Sequence, residues 1–259
     1  MQIHTAYDVM KEFLITDAEL DGKYGIPKIQ KTFIHPGKDT VDFAESFSRK
    51  IKNHKELDVN FYVDDVQFQR LWNQPDKYME HLKCFHAVIM PDFSISVGKN
   101  GMPLAMCLWN KYRNHALSHY MILNDIPVIP NVNILPEYCW DWCFDGLPEG
   151  STVACCTNGR VKSKAARLEF CVGFKEMERR LNPLRVIIVG RIPEELETDT
   201  EIINFETRRL TRRARMGTTT DNYQRKKKLS KSQMKRTERL EKSSRRRYGT
   251  RKKEGLNKL

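Results

Sequence analysis

Apolar positions alternate with polar stretches along most of the chain in a strand–helix–strand rhythm. Val59–Val63 is a β-rich run ending at Asp64-Asp65. A helical segment follows, interrupted by Pro75 and predicted to restart over Asp76–Phe85. Ala87–Met90 is a second apolar run, ending at Pro91-Asp92. Strand, helix and strand within about thirty residues mark a parallel βαβ unit. The spacing of Leu104, Leu108, Tyr112, Ala116 and Tyr120 predicts a long helix over Leu104–Leu123, opened by Pro103. Ile126–Ile129, Thr152–Cys156 and Leu184–Val189 are predicted strands, and Ser163–Leu181 is a predicted helix with Ala166, Phe170, Phe174, Met177 and Leu181 on one face.

The flanks follow the same logic. A short helix is expected over residues 5–14 and a first strand over Ile29–His35. Asp39 or Thr40 is expected to cap a helix in which Phe43, Phe47 and Ile51 recur every four positions. A last helix is expected from Pro193 into the C-terminal tail. Residues 131–150 form a long loop whose Trp140, Trp142 and Phe144 argue for order.

About six such repeats predict an α/β fold with a mainly parallel sheet. Asp64, Asp92, Asn131 and Thr157 stand at the ends of different strands. That spread favours an incomplete barrel over an open doubly wound sheet, in which polar residues would concentrate at one switch point.

Charge changes the picture at the C-terminus. Residues 208–259 hold 21 Lys and Arg against 4 Asp and Glu, a net +17, which leaves −5 on the rest of a chain whose total is +12. The division expected is an α/β domain over residues 1–204 and a basic, largely disordered tail over 205–259. Lys and Arg at this density bind polyanions by counterion release. The candidate DNA or RNA contacts are Arg208, Arg209, Arg212, Arg213, Arg225, Lys226, Lys227, Lys228, Arg245, Arg246 and Arg247. A solubilising extension or association with anionic lipid is the competing reading of the same charge.

No apolar run reaches the length of a membrane span, and the N-terminus carries no signal-peptide core. The odd number of cysteines, 7, suits reduced thiols and a cytoplasmic setting better than a disulfide framework.

Asp64, Asp65 and Asp92 are the leading candidates for chemistry. Carboxylates on neighbouring strand ends are hard oxygen ligands suited to Mg²⁺ or Mn²⁺, or one of them can act as a general acid or base. The structural alternatives are that Asp65 caps its helix and Asp92 fixes the turn after Pro91. Arg113, on the long helix, offers a bidentate partner for phosphate or carboxylate, or a structural ion pair with one of the aspartates. His115 and His119 have chelating spacing but lack a third ligand, and Cys139 and Cys143 lack a matching second pair. The turns GKNG (98–101) and TNGR (157–160) could present N–H groups to an anion or be ordinary turns. No phosphate-loop lysine motif, dinucleotide fingerprint or serine elbow is present.

Three strings together carry a family resemblance. They are DD-x-x-F-x-x-x-W-x-x-P from Asp64, the PDFS box at Pro91–Ser94, and CFDGLPEGSTVACCTNG from Cys143. Over roughly residues 1–192 the chain resembles a bacterial and phage family catalogued as domain of unknown function number 4417. The resemblance implies a phage, plasmid or conjugative-element setting and supplies no reaction. Three functions are in play: a nucleic-acid-associated protein with a strand-end acidic site, a metal-dependent phosphoesterase or nucleotide-processing enzyme using Asp64, Asp92 and Arg113, and a scaffold without chemistry.

Overall fold

A computed structural model describes residues 10–206. The basic tail expected to contact nucleic acid lies outside the described residues, as do residues 1–9, which include the first part, 5–9, of the expected N-terminal helix. What is described of that helix is a single 3-10 turn, Glu12–Ile15.

A small antiparallel pair comes first, β1 (Leu20–Asp21) and β2 (Ile26–Pro27). Parallel strands follow in strict chain order: β3 (Asp39–Asp42), β4 (Leu57–Asn60), β5 (Ala87–Ile89) and β6 (Val128–Ile129) form one sheet. A second sheet holds β7 (Thr152–Cys156), β8 (Arg185–Val189) and β9 (Glu201–Phe205), again all parallel. A single parallel bridge, Asn131 to Ala154, joins the two. The helices are α1 (Gln69–Asn73), α2 (Asp76–Lys83), α3 (Leu104–Leu123) and α4 (Lys164–Leu181). The fold is therefore mixed α/β with parallel sheets, as expected. No helix among the described residues is long and apolar enough to cross a membrane.

Both faces of β4–β8 are buried, as the inner strands of a parallel sheet require, while β9 has no buried residue. On β8, Val186 and Ile188 pack under α4 with Phe170, Phe174 and Met177, while Ile187 and Val189 point the other way. Ala87, Ile89, Ile129 and Ala154 join Ile187 and Val189 in that inner cluster, with Tyr62 and Phe205 at its margin. The two-residue period of the strands produces this division directly. A third cluster, built on Phe43, Phe61, Phe68 and Phe93, lies between β3–β5 and the helices α1–α3.

Three expectations need correction. The segment from Asp39 is a strand and not a helix. Its four-residue aromatic spacing survives only as a 3-10 turn, Glu45–Phe47, whose first N–H is taken by Asp42 Oδ1 at 2.9 Å. Val41 and Phe43 are both fully buried, and pairing with β4 satisfies a backbone that a helix would have satisfied internally. Ile29–His35 is extended but not a named strand; Thr32 is held instead by Ser151 and by the Thr152 N–H. The chain after Pro193 makes one turn and then β9, with Thr198 and Thr200 both donating to Glu178 of α4. β-Branched Thr198, Thr200, Ile202 and Ile203 suit the extended path.

Candidate functional site

The strand ends β4, β5 and β6 bring together side chains far apart in sequence. Tyr62 lies just past β4, Asp92 just past β5, and Asn131 and Asn133 just past β6. Tyr62 donates its hydroxyl hydrogen to Asn131 Oδ1 at 2.8 Å. Asn131 Nδ2 then donates to Asp92 Oδ1 at 3.0 Å, and Asn133 Nδ2 donates to the same oxygen at 2.8 Å. Asp92 Oδ2 has no hydrogen-bond partner among the described residues. Burial pushes the Asp92 carboxyl above its ordinary range, against the opposing pull of Asn133, Arg160 and Asn131. Burial likewise raises Tyr62 well above the usual phenol range and holds the Cys156 thiol up at about 12. The group is thus desolvated, hydrogen-bonded on one carboxylate oxygen and open on the other. Such an oxygen can accept a ligand's proton or hydrogen bond.

Asp65 is placed differently. Both of its oxygens lie 3.2 Å from the Ser94 N–H, and Oδ1 also accepts from the Ser94 hydroxyl at 2.8 Å. Asn110 on α3 donates to the Ser94 carbonyl at 2.6 Å and accepts from Arg113 Nη2 at 2.5 Å. Arg113 Nη1 donates to Gln69 at 3.2 Å. The Arg113 guanidinium sits 3.7 Å from the Phe93 ring centre, with Trp72 and Trp109 further out. Burial lowers its pKa, and the nearby Asp65 charge opposes that. Arg113 makes no hydrogen bond to Asp92, although Asp65 is close enough for its charge to act on Asp92. Asp64 is exposed, at the start of the 3-10 turn Asp65–Gln67.

The structure therefore links Asp65 to Arg113 through Ser94 and Asn110, and hydrogen-bonds neither of them to the Asp92 network. Among the described residues no three His, Cys, Asp or Glu side chains gather where they could hold a metal ion, so Asp64, Asp65 and Asp92 do not form such a cluster. Asp92 Oδ1 already faces two amide donors, and Asp65 is committed to Ser94.

Other candidates resolve into local roles. His115 and His119 each face a backbone carbonyl, Pro27 O at 2.8 Å and Thr16 O at 3.0 Å. His115 Nε2 also meets Lys111 Nζ at 3.3 Å, and Lys111 donates to the Cys143 carbonyl at 2.9 Å. Burial lowers Lys111 to about 8 and His115 well below its usual value. These contacts tie α3 to the β2 segment and to the loop after β6. Cys139 and Cys143 are buried free thiols. GKNG is a tight turn closed by Gly101 N–H on Gly98 O at 2.9 Å, with Gly98 at φ 101°.

TNGR differs, because its arginine reaches the site. Arg160 Nη1 donates to the Ile134 carbonyl at 2.5 Å, and its charge acts on Asp92 and Cys156. Beside it, Gly190 at φ 120° leaves the space that Thr157 Oγ1 occupies, since a Cβ there would lie 2.4 Å from that oxygen. Tyr62, Asn133, Cys156 and Arg160 were not picked out as site residues from sequence. Their one shared signal is position, since each lies at or just beyond the carboxyl end of a strand.

Comparisons with known proteins give a setting. The "Gene 1 protein" of Mycobacterium phage L5 is 34% identical over 134 residues, covering 52% of this chain and 57% of the relative. The "Gene 1 protein" of Mycobacterium phage D29 is 32% identical over 134 residues, covering 52% of this chain and 48% of that relative. The match thus spans about half the length of each. No solved structure matches the chain. Residues 18–206 match the family described as Domain of unknown function (DUF4417), and the chain belongs to that family.

Proposed function

We propose that this is a nucleic-acid-associated protein of a phage or mobile element. The basic segment 208–259 supplies affinity for DNA or RNA with little sequence preference, and the α/β body carries a polar site at its strand ends. The observation that carries the reading is the charge division, +17 on 208–259 against −5 on the remainder. A body of that sign is repelled by a phosphate backbone, so the attraction falls to the tail. The similarity to phage proteins supports the setting. Strict chain order of the parallel strands, with no reversal, and an inner cluster fed by β5–β8 support an incomplete barrel with its site at the carboxyl ends.

The test is a binding titration of full-length protein and of protein truncated after Glu206, at several salt concentrations. Full-length protein should lose roughly 10³–10⁵ in affinity between about 50 and 200 mM salt if six to ten phosphates are engaged. Truncated protein should bind far more weakly. Equal affinity of the two, or a flat salt dependence, would overturn the reading.

A second reading, hydrolysis or transfer at a phosphate ester, is favoured by one observation: Asp92 combines a raised proton affinity with an unpartnered oxygen near the Arg160 charge. In that reading Asp92 is the general acid or base and Arg160, rather than Arg113, is the cation that meets the substrate.

A further inference from the structure

The second sheet stops at β9, and β9 differs from the strands inside it. None of its residues is buried, and among the described residues it pairs only with β8. In a parallel ladder, successive residues direct their backbone groups to opposite sides. Gly190 N–H donates to Phe205 O at 2.8 Å, so Phe205, and with it Ile203 and Glu201, faces β8. The N–H and C=O groups of Ile202 and Asn204 therefore point away from β8, with no partner among the described residues. The Asn204 side chain does not cover them. Its Nδ2 turns back to the Ile188 and Gly190 carbonyls, 2.8 Å from each. The strand reads EIINF in unbroken register, without the lysine, proline or bulge that keeps an exposed edge from pairing.

The charges on the two sides of β9 have opposite signs. From Ile192 to Glu206 the chain holds Glu194, Glu195, Glu197, Asp199, Glu201 and Glu206 and no Lys or Arg. Glu195 and Glu201 are paired with Arg167 and Arg185. Glu194, Glu197 and Asp199 are exposed and have no ion pair among the described residues. After Thr207 the sequence continues with Arg208, Arg209, Arg212, Arg213 and Arg215, with no acid before Asp221. A second copy laid antiparallel along β9 sets the acidic run of each chain beside the basic run of the other, at both ends. A parallel copy sets like charges together, which is repulsive.

We propose that β9 is a self-association edge, pairing antiparallel with β9 of a second copy about a two-fold axis. With the axis at Ile203, Ile202 of each copy exchanges N–H···O bonds with Asn204 of its partner, and every outward backbone group of those residues is used. The two three-stranded sheets then run on as one. A strand of this length buries less area than a permanent dimer needs, so the pairing is reversible and leans on the flanking charges, hence on salt.

The test is the mass of full-length protein, freed of nucleic acid, by analytical ultracentrifugation over a concentration series at low salt. A reversible dimer is expected. Asn204→Pro removes one outward N–H and spares the bonds to β8, a position at which an edge strand tolerates proline, and should leave a monomer. Asn204→Ala loses only the side-chain bonds and should still dimerise. Glu194→Lys, Glu197→Lys and Asp199→Lys together should weaken the dimer by about tenfold or more at low salt, and so should Arg208→Glu, Arg209→Glu and Arg212→Glu together. Mixed with each other, these two charge variants should form a heterodimer, since each again meets opposite charge at both ends. If Asn204→Pro does not fold, the mixed charge variants decide. A monomer at every concentration, a dimer that survives Asn204→Pro, or a mixture that forms no heterodimer would overturn the inference. So would a monomer whose Ile202 and Asn204 amides resist hydrogen exchange, because the chain's own continuation would then cover the edge. No polyanion is present in the measurement, so this inference and the nucleic-acid reading fail separately.

Discussion

Asp65 and Asp92 stand after neighbouring parallel strands, and their surroundings divide them. Asp65 has both oxygens engaged by the backbone and hydroxyl of Ser94, and through Asn110 it shares a network with an arginine packed on Phe93. Asp92 is held by two amides at one oxygen, with its other oxygen unpartnered among the described residues and its pKa raised by burial. A carboxylate with both oxygens engaged by its own fold is part of the scaffold. One that is desolvated and half-used keeps capacity for a ligand. The same contrast separates Arg113, spent among aromatic rings, from Arg160, which faces both Asp92 and a cavity.

The largest effect expected from this contrast is at Arg113. Arg113→Ala should cost about 2–3 kcal/mol in chemical denaturation, through lost ring contacts and two hydrogen bonds, and should leave nucleic-acid affinity unchanged. A stable variant with impaired binding would return Arg113 to the site. Asp65→Asn should cost about 1 kcal/mol, because the amide still accepts from Ser94 but no longer faces Arg113 with a charge. Thermal melts of the two single variants and the double variant would show whether they act through one network.

Asp92→Asn should change stability least, by about 1 kcal/mol or less at neutral pH, and in a direction set by linkage. A carboxyl whose folded pKa is raised contributes its full share below its unfolded value. It loses that share as pH rises from the ordinary carboxylate range through the elevated folded value. The amide variant has no such loss, so it should gain on the wild type as pH climbs through that window. Denaturation curves of both proteins from acid to neutral pH would check the sign. A variant that loses ground to the wild type as pH rises would show that Asp92 is stabilised as an anion and belongs with Asp65.

Much of the architecture was legible because it depends on local pattern. Leu104–Leu123 and Thr152–Cys156 begin and end where the apolar period and the flanking prolines and polar turns place them. Asp39–Asp42 was misread because Phe43, Phe47 and Ile51 mimic a helical face, and only pairing with β4 chooses between the two readings. β9 was missed because Pro193 suggests a helix start, whereas β8 supplies an edge that the chain can extend.

The amino-acid sequence by itself determined the parallel α/β class, the charge division and the placement of polar residues at strand ends. Tertiary structure alone decided which of those residues meet. Asn131 and Asn133 reach Asp92 from 39 and 41 positions away, and Tyr62 reaches Asn131 across 69. Periodicity specifies which face of an element is buried, because that depends on neighbours one turn or two residues away. It carries no term for the distance between two loops, which is set by strand register and by how the sheets are joined. The single Asn131–Ala154 bridge between β6 and β7 lies where Asn131 and Asn133 leave β6, and the loops after β6 and β7 bring Ile134 and Arg160 within hydrogen-bonding distance.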